Sequence, residues 1–169
     1  MLHTQPRGDV LSTISPVYVE TSVISYLVAK RSRDIITLAR QEITSEWWDV
    51  YRKSYEVFIS ELVLQEAARG DKHLSAARLE ALDGFPILEI SNQVAEVADA
   101  LLLCSAVPRK AAEDAIHIAT AAVNGIEYLL TWNFKHINNV HTKQKITSCL
   151  ESLGVVAPIL CSPEELIGG

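Results

Sequence analysis

Five short apolar segments, at residues 17–20, 57–60, 86–90, 128–132 and 158–161, are separated by stretches in which apolar side chains recur at helical spacing. Runs this short, apolar throughout instead of alternating, are the pattern of strands buried on both faces. Strands alternating with helices predict an α/β fold whose parallel sheet is covered on both sides. The helical stretches carry their own punctuation. Thr21 and Ser22 can each cap a helix running to about Lys30. A longer helix is expected over 34–55, where Ile35, Ala39, Ile43, Trp47 and Tyr51 recur every four positions and predict a buried stripe. Trp47 and Trp48 are accordingly read as core and not as a base-stacking platform. Ser60 caps a helix that Gly70 ends, another covers 71–84, and Ser91 opens one reaching about Ala106. Residues 111–123 are apolar nearly all round, and 142–153 form a further helix. Ser-Pro-Glu-Glu at 162–165 combines a cap, a proline at the first helical position and a capping-box glutamate.

No internal repeat, low-complexity tract or interdomain linker interrupts this pattern. The chain divides into an N-terminal leader, residues 1–16, and one domain, residues 17–169, long enough to bury a proper core. Apolar residues at 49% and charged residues at 21% are ordinary for a globular protein. The leader lacks the apolar centre of a signal peptide and no run is long enough to span a membrane, so a cytoplasmic location and no membrane partner are expected. Cys104, Cys149 and Cys161 are odd in number and widely spaced, which fits neither a disulfide framework nor a zinc site; they are read as small core residues. The formal charge of −6 excludes a protein that coats nucleic acid by electrostatics alone. It leaves room for an enzyme whose acids surround a divalent cation. Basic clusters at Lys30/Arg31/Arg33, Arg69/Lys72, Arg109/Lys110, Lys135/His136 and Lys143/Lys145 read as solvated surface from which a local rim can be drawn.

In parallel α/β sheets, ligand sites form beyond the carboxyl ends of the strands. Glu20 is the last residue of the first strand, Glu66 lies about a turn and a half into the helix after the second, and Thr131 and Asn133 bracket the end of the fourth. Asp114 sits early in the Ala- and Ile-rich helix, where a carboxylate is costly unless it is paired or binds a metal. Glu113 points about 100° away around that helix and is assigned to solvent or a salt bridge. Carboxylates converging without cysteine or a histidine pair suit Mg2+ or Mn2+. Such an ion polarises phosphate and activates water, which makes phosphodiester hydrolysis the natural chemistry. His117 follows Asp114 by three residues and shares its face. It is read as a buried, hydrogen-bonded residue, or else as a support for Asp114. His3, His73, His136 and His141 show no pairing pattern and receive no role.

Four stretches together resemble a known family: Tyr-Val-Glu-Thr-Ser-Val-Ile-Ser-Tyr at 18–26, Ile-Ser-Glu-Leu-Val-Leu-Gln-Glu-Ala at 59–67, Ala-Glu-Asp-Ala-Ile-His-Ile-Ala at 112–119 and Leu-Leu-Thr-Trp-Asn at 129–133. Their residues and order are similar to those of PIN-domain proteins, in particular the VapC-like toxin ribonucleases. The resemblance implies a three-layer α/β/α sandwich around a five-stranded parallel sheet and a Mg2+- or Mn2+-dependent endoribonuclease. Glu20, Glu66 and Asp114 then match the family's acids and hold the ion. Thr21 or Ser22 supports the first acid, and Thr131 and Asn133 position the attacking water. Lys110 and Lys135 meet flanking phosphates at the rim. The family's first acid is usually aspartate and its fourth-strand position often a further acid, where this chain has Glu20 and Asn133. Three carboxylates fall short of the charge on two divalent ions, so one tightly held ion is expected. The implied partners are RNA, an antitoxin protein that blocks the cleft and a second copy of the chain. Two other readings stand beside this one. One is a PIN scaffold that binds RNA or a protein without cutting. The other is a phosphohydrolase of small phosphate esters, which lacks a glycine-rich phosphate loop here.

Overall fold

The computed structural model describes residues 14–168, so most of the leader read at 1–16 lies outside the described residues. Strand β1 spans Ser15–Val19 and passes into helix α1, Thr21–Val28. Val17, Tyr18 and Val19 are all fully buried, and successive side chains point to opposite faces, so both faces of this strand are covered. Helix α2, Ile35–Glu46, leads to β2, Tyr55–Ser60, and then to α3, Glu61–Ala67, and α4, Lys72–Leu82. A two-residue edge strand β3, Ile87–Leu88, precedes α5, Asn92–Leu103, and α6, Ala112–Val123. Strand β4, Tyr128–Leu130, helix α7, Val140–Ser152, and β5, Ile159–Cys161, complete the domain, followed by a 3-10 turn at Pro163–Leu166.

Among the described residues the strands form one parallel sheet in the order β3-β2-β1-β4-β5. Seven α-helices flank it in the three-layer arrangement expected from the alternating pattern. They fall into two packed groups, α1 with α2, α3 and α4, and α5 with α6 and α7. The sheet grows from β1 toward β3 on one side and from β4 toward β5 on the other. The topological switch therefore lies between β1 and β4, where the crossovers diverge and open a crevice at the carboxyl ends. Backbone bonding carries the ladder a residue further there: Glu20 N–H donates to Leu130 O at 3.0 Å and Thr131 N–H to Cys161 O at 2.9 Å. Among the described residues no helix is long and apolar enough to cross a membrane.

The caps read at Ser60, Ser91 and residues 162–165 are present, whereas the cap of α1 is Glu20 and not Thr21 or Ser22, which lie within the first turn of the helix. Ser60 and Ser91 accept from the backbone at the starts of α3 and α5, Asp71 does so for α4, and residues 162–165 close a capping box. Three further expectations are corrected. The helix expected over 34–55 is α-helical only to Glu46, then widens into a π turn at Trp47–Tyr51 and a 3-10 turn at Arg52–Ser54. Two adjacent indoles cannot both face the core on a regular helix; the wider turn buries Trp47 completely while Trp48 packs against Phe85 and carries the Arg52 guanidinium on its ring. Of the expected stripe only Trp47 is fully buried; Ile43 and Tyr51 pack partly buried against the core, while Ala39 and Ile35, the latter 79% exposed, face solvent on the first turns of α2. Finally, Cys104 and Cys149 are not separate core residues but are joined by a disulfide. The end of α5 packs on α7, and this contact brings together residues 45 positions apart. Cys161 is the buried free thiol expected of a core cysteine.

Candidate metal centre

Glu20 is the N-cap of α1, in extended conformation, and its carboxylate folds back onto the first turn. Glu20 Oε1 accepts from Ser22 N at 3.1 Å, and Oε2 accepts from Ser22 Oγ at 2.5 Å and from Thr131 Oγ1 at 2.6 Å. A carboxylate at this end of a helix also gains from the helix dipole. Only 6% of Glu20 is exposed, so these donors take the place of the water it has lost. Thr131 is fully buried and holds Glu20 on one side while accepting from Asn133 N at 2.9 Å on the other. Ser22 likewise accepts from Trp132 N at 2.8 Å, tying α1 to the end of β4.

The second acid arrives on α3. Glu66 Oε2 accepts from Thr21 Oγ1 and from His117 Nε2, the latter at 2.8 Å. His117 comes from α6 and is fully buried. Its Nδ1 lies 2.6 Å from Tyr18 OH, which lies 2.7 Å from Ser60 Oγ. His117 thus supports Glu66 and not Asp114. Burial disfavours the charged imidazole, but the Glu66 hydrogen bond and the charges of Glu20, Glu66 and Asp114 outweigh it, and the His117 pKa is raised. Burial likewise pushes Glu66 up, yet the hydrogen bond and charge of His117, with the Thr21 hydrogen bond, leave it below its ordinary value. Burial, assisted by the charges of Glu20 and Glu66 and opposed by the Ser60 hydrogen bond, drives the Tyr18 phenol far upward, so it stays neutral.

Asp114, on the first turn of α6, has a different environment. Its Oδ1 accepts from Asn133 Nδ2 at 3.0 Å and its Oδ2 from His136 Nδ1 at 2.8 Å. Asn133 Oδ1 in turn accepts from the His136 backbone N–H at 3.0 Å, so the three residues form a closed ring. The expected acids are therefore split. Donor atoms of Glu20, Glu66 and His117 all lie within 4.8 Å of one another, a grouping that does not include Asp114. Asp114 remains near enough for its charge to act on His117. Glu113 forms a two-pronged salt bridge with Arg69, at 2.7 and 3.1 Å, as its direction on the helix suggested. Lys110 lines a pocket of about 300 Å3 beside Asp114 and His136. Lys135 is exposed on the neighbouring loop. Among the described residues, the ion pairs of Glu20, Glu66 and Asp114 all go to histidines and none to lysine or arginine.

Residue-pattern reasoning missed Tyr18, Ser60 as a side-chain partner, and His136. Tyr18 sits in an apolar strand, where an aromatic reads as core. Ser60 is a cap in the structure as well, which hides its second contact. His136 had one available signal, the Asn-x-x-His spacing after the fourth strand, which lets an asparagine side chain accept from the backbone three residues on. Two carboxylates and one imidazole, held by hydroxyl and backbone donors and by the His117–Glu66 contact itself, present the chemistry that a divalent cation requires.

The fold has solved counterparts. VapBC2 from Rickettsia felis, bound to a DNA fragment from its promoter, superposes with a TM-score of 0.55 at 15% identity, over 87% of this chain and 98% of that one. Mycobacterium tuberculosis VapC20, described as a sarcin–ricin loop cleaving toxin, superposes with a TM-score of 0.52 at 20% identity, over 70% of this chain and 91% of that one. No curated protein matches the chain. At the level of sequence, the family model of the PIN domain matches residues 17–138, a stretch holding most of β1, all of β4, the switch point between them and Glu20, Glu66 and Asp114. The chain belongs to the PIN domain family.

Proposed function

We propose that this PIN domain is a divalent-metal-dependent endoribonuclease that hydrolyses RNA phosphodiesters in the cytoplasm and serves as the toxin of a type II toxin–antitoxin pair. The observation that carries the reading is the meeting of Glu20 and Glu66 with His117 at the switch point of the sheet, with no direct ion pair from these carboxylates to lysine or arginine among the described residues. Glu20 and Glu66 would hold the ion, with Asp114 contributing from the wall of the same cleft. A bound divalent cation supplies charge neutralisation and acidified water to a phosphodiester. The protein's own groups supply orientation. Thr131 and Ser22 fix the Glu20 carboxylate, Thr21 fixes Glu66, and Asn133 with His136 fixes Asp114. Side chains locked by such donors enter the reaction without reorganising. Lys110, beside the Asp114 pocket, and Lys135 meet the phosphates flanking the scissile one.

RNA as substrate is supported by the likeness to VapC20. An antitoxin as partner is supported by the likeness to VapBC2 and by an open, largely apolar groove of about 410 Å3 that Ile36, Ile43, Trp132 and Phe134 help to line. A second copy of the chain completes the assembly in this reading. The test is RNA cleavage with Mg2+ or Mn2+, comparing the wild type with Asp114→Asn and Glu66→Gln. Both substitutions are expected to abolish cleavage, and activity unchanged in either rejects that residue's role. A PIN scaffold that binds without cutting is the second reading, favoured by the engagement of both Asp114 oxygens. Calorimetry separates the two, since a scaffold shows no saturable Mn2+ binding at millimolar metal.

A further inference from the structure

The three atoms that can share an ion in this cleft are not three carboxylate oxygens. Glu20, Glu66 and His117 each offer one ligand atom inside a 4.8 Å sphere of mutual distance, whereas Asp114 is bound into its ring with Asn133 and His136. Two donors of one first-row ion, each about 2.0–2.2 Å from it, lie at most about 4.4 Å apart, so this group is close to assembled before any ion arrives. Each of the two carboxylates keeps one oxygen that is less engaged. Glu20 Oε2 is filled by two hydroxyls, while Oε1 accepts a single backbone N–H and lies 4.0 Å from His117 Nε2. Glu66 Oε2 is filled by Thr21 and His117, and Oε1 has no partner among the described residues.

His117 has the support that metal-binding histidines need. An imidazole that ligates through one nitrogen is normally held by a hydrogen bond at the other, which fixes its tautomer and orientation. Here Nδ1 meets Tyr18 OH at 2.6 Å, Tyr18 OH meets Ser60 Oγ at 2.7 Å, and Ser60 is anchored by Val63 N at 3.3 Å as the cap of α3. Tyr18, Ser60 and His117 are fully buried, so this relay has no room to swing. With Nδ1–H donated to the neutral phenol, the Nε2 that donates to Glu66 in the ion-free protein would, once its proton leaves to solvent, aim its lone pair toward the two carboxylates.

We infer that His117 Nε2 is a direct metal ligand, and that this PIN domain is built for a first-row transition-metal dication such as Mn2+ in preference to Mg2+. The inference rests on the metal-dependent reading of the cleft and deepens it by assigning the ion. Mg2+ demands oxygen ligands in near-ideal octahedral geometry and keeps much of its water. Imidazole nitrogen favours the later, softer divalent ions, whose affinities rise along the first row. Binding displaces the Nε2 proton that Glu66 accepts in the ion-free protein.

The test is pulsed electron paramagnetic resonance of Mn2+ added to the full chain, together with Mn2+ and Mg2+ calorimetry. The expected result is a nitrogen coupling on Mn2+ that changes on 15N-histidine labelling, persists in His136→Asn and vanishes in His117→Gln. Mn2+ should also bind more tightly than Mg2+ in the wild type, and His117→Gln should reduce that ratio by at least an order of magnitude. Tyr18→Phe, which keeps the ring and removes the relay, should weaken Mn2+ more than Mg2+; equal weakening of both overturns the relay's part in selectivity. If His117→Gln fails to fold, the labelled wild type and His136→Asn still decide the matter, because a coupling present in both leaves His117 as the histidine in the cleft. Saturable Mn2+ binding without histidine nitrogen coupling overturns this inference and leaves the metal-dependent reading standing, and so does a coupling lost only in His136→Asn. Absence of saturable Mn2+ binding in the wild type overturns both.

Discussion

Thr131→Val isolates the role of one buried hydroxyl. Thr131 Oγ1 donates to Glu20 Oε2 at 2.6 Å and accepts from Asn133 N at 2.9 Å, in a residue with no solvent exposure. Valine retains the β-branched shape and removes both interactions. Losing a hydrogen bond to a charged group costs about 1.5–3 kcal/mol, and a buried N–H left without a partner about 1–3 kcal/mol. Glu20 keeps its two Ser22 donors, which offsets part of the loss, so a net destabilisation of about 2–4 kcal/mol is expected. For a domain of this length that is a fall in Tm of roughly 5–15 °C. The metal site should suffer separately, since removing a group that orients a ligand typically costs about 10–100-fold in affinity or activity. The assay pairs thermal unfolding of metal-free protein with Mn2+ calorimetry on Thr131→Val and Thr131→Ser. Serine restores the hydroxyl and should restore most of the affinity. Wild-type Mn2+ affinity in Thr131→Val, or an equal loss in both variants, would refute the claim that this hydroxyl aims Glu20 at an ion.

Three further predictions concern the frame around the site. The Cys104–Cys149 bond closes a loop of 45 residues in the unfolded chain, worth about 4 kcal/mol on the loop-entropy account. Cys104→Ser, or a thiol reductant, should therefore lower Tm on the order of 10 °C, and a free-thiol count that does not rise on reduction would contradict the bond. Leu101 is fully buried on α5, the helix that packs against α6; Leu101→Ala should cost about 2–5 kcal/mol in denaturant unfolding. Asp34 caps α2, and the hydrogen bond from Thr37 holds its pKa below the ordinary 3.8. A depressed carboxyl stabilises above its unfolded pKa and loses that contribution as pH falls through the folded value. Asp34→Ala should then melt below the wild type at neutral pH, with the two curves converging as pH drops below 3.8.

Much of the site's framework was legible because it depends on neighbours in the chain. Glu20 could be singled out because it ends an apolar strand and is followed by two hydroxyl residues, and those residues do meet the site: Ser22 holds Glu20, and Thr21 holds Glu66. Asp114 stood out because a carboxylate among Ala and Ile must find partners. Which partners it finds was not legible. It pairs with Asn133 and His136, across 19 and 22 residues, and not with the other acids at hydrogen-bonding distance. The tryptophan pair shows the same limit at shorter range, because a four-residue period cannot announce the wider turn that accommodates two adjacent indoles.

Local order along the chain suffices for the strands, for most helices and caps and for the parallel alternation, since each arises from side chains within a few residues of one another. The composition of the cleft has another origin. Tyr18 and His117 are 99 positions apart, Glu66 and His117 are 51 apart, and Cys104 and Cys149 are 45 apart. A hydrogen bond forms only within a few tenths of an ångström of its optimum. Whether such pairs touch depends on how each helix is rotated and set against the sheet, which the packing of the whole core determines and no local pattern encodes.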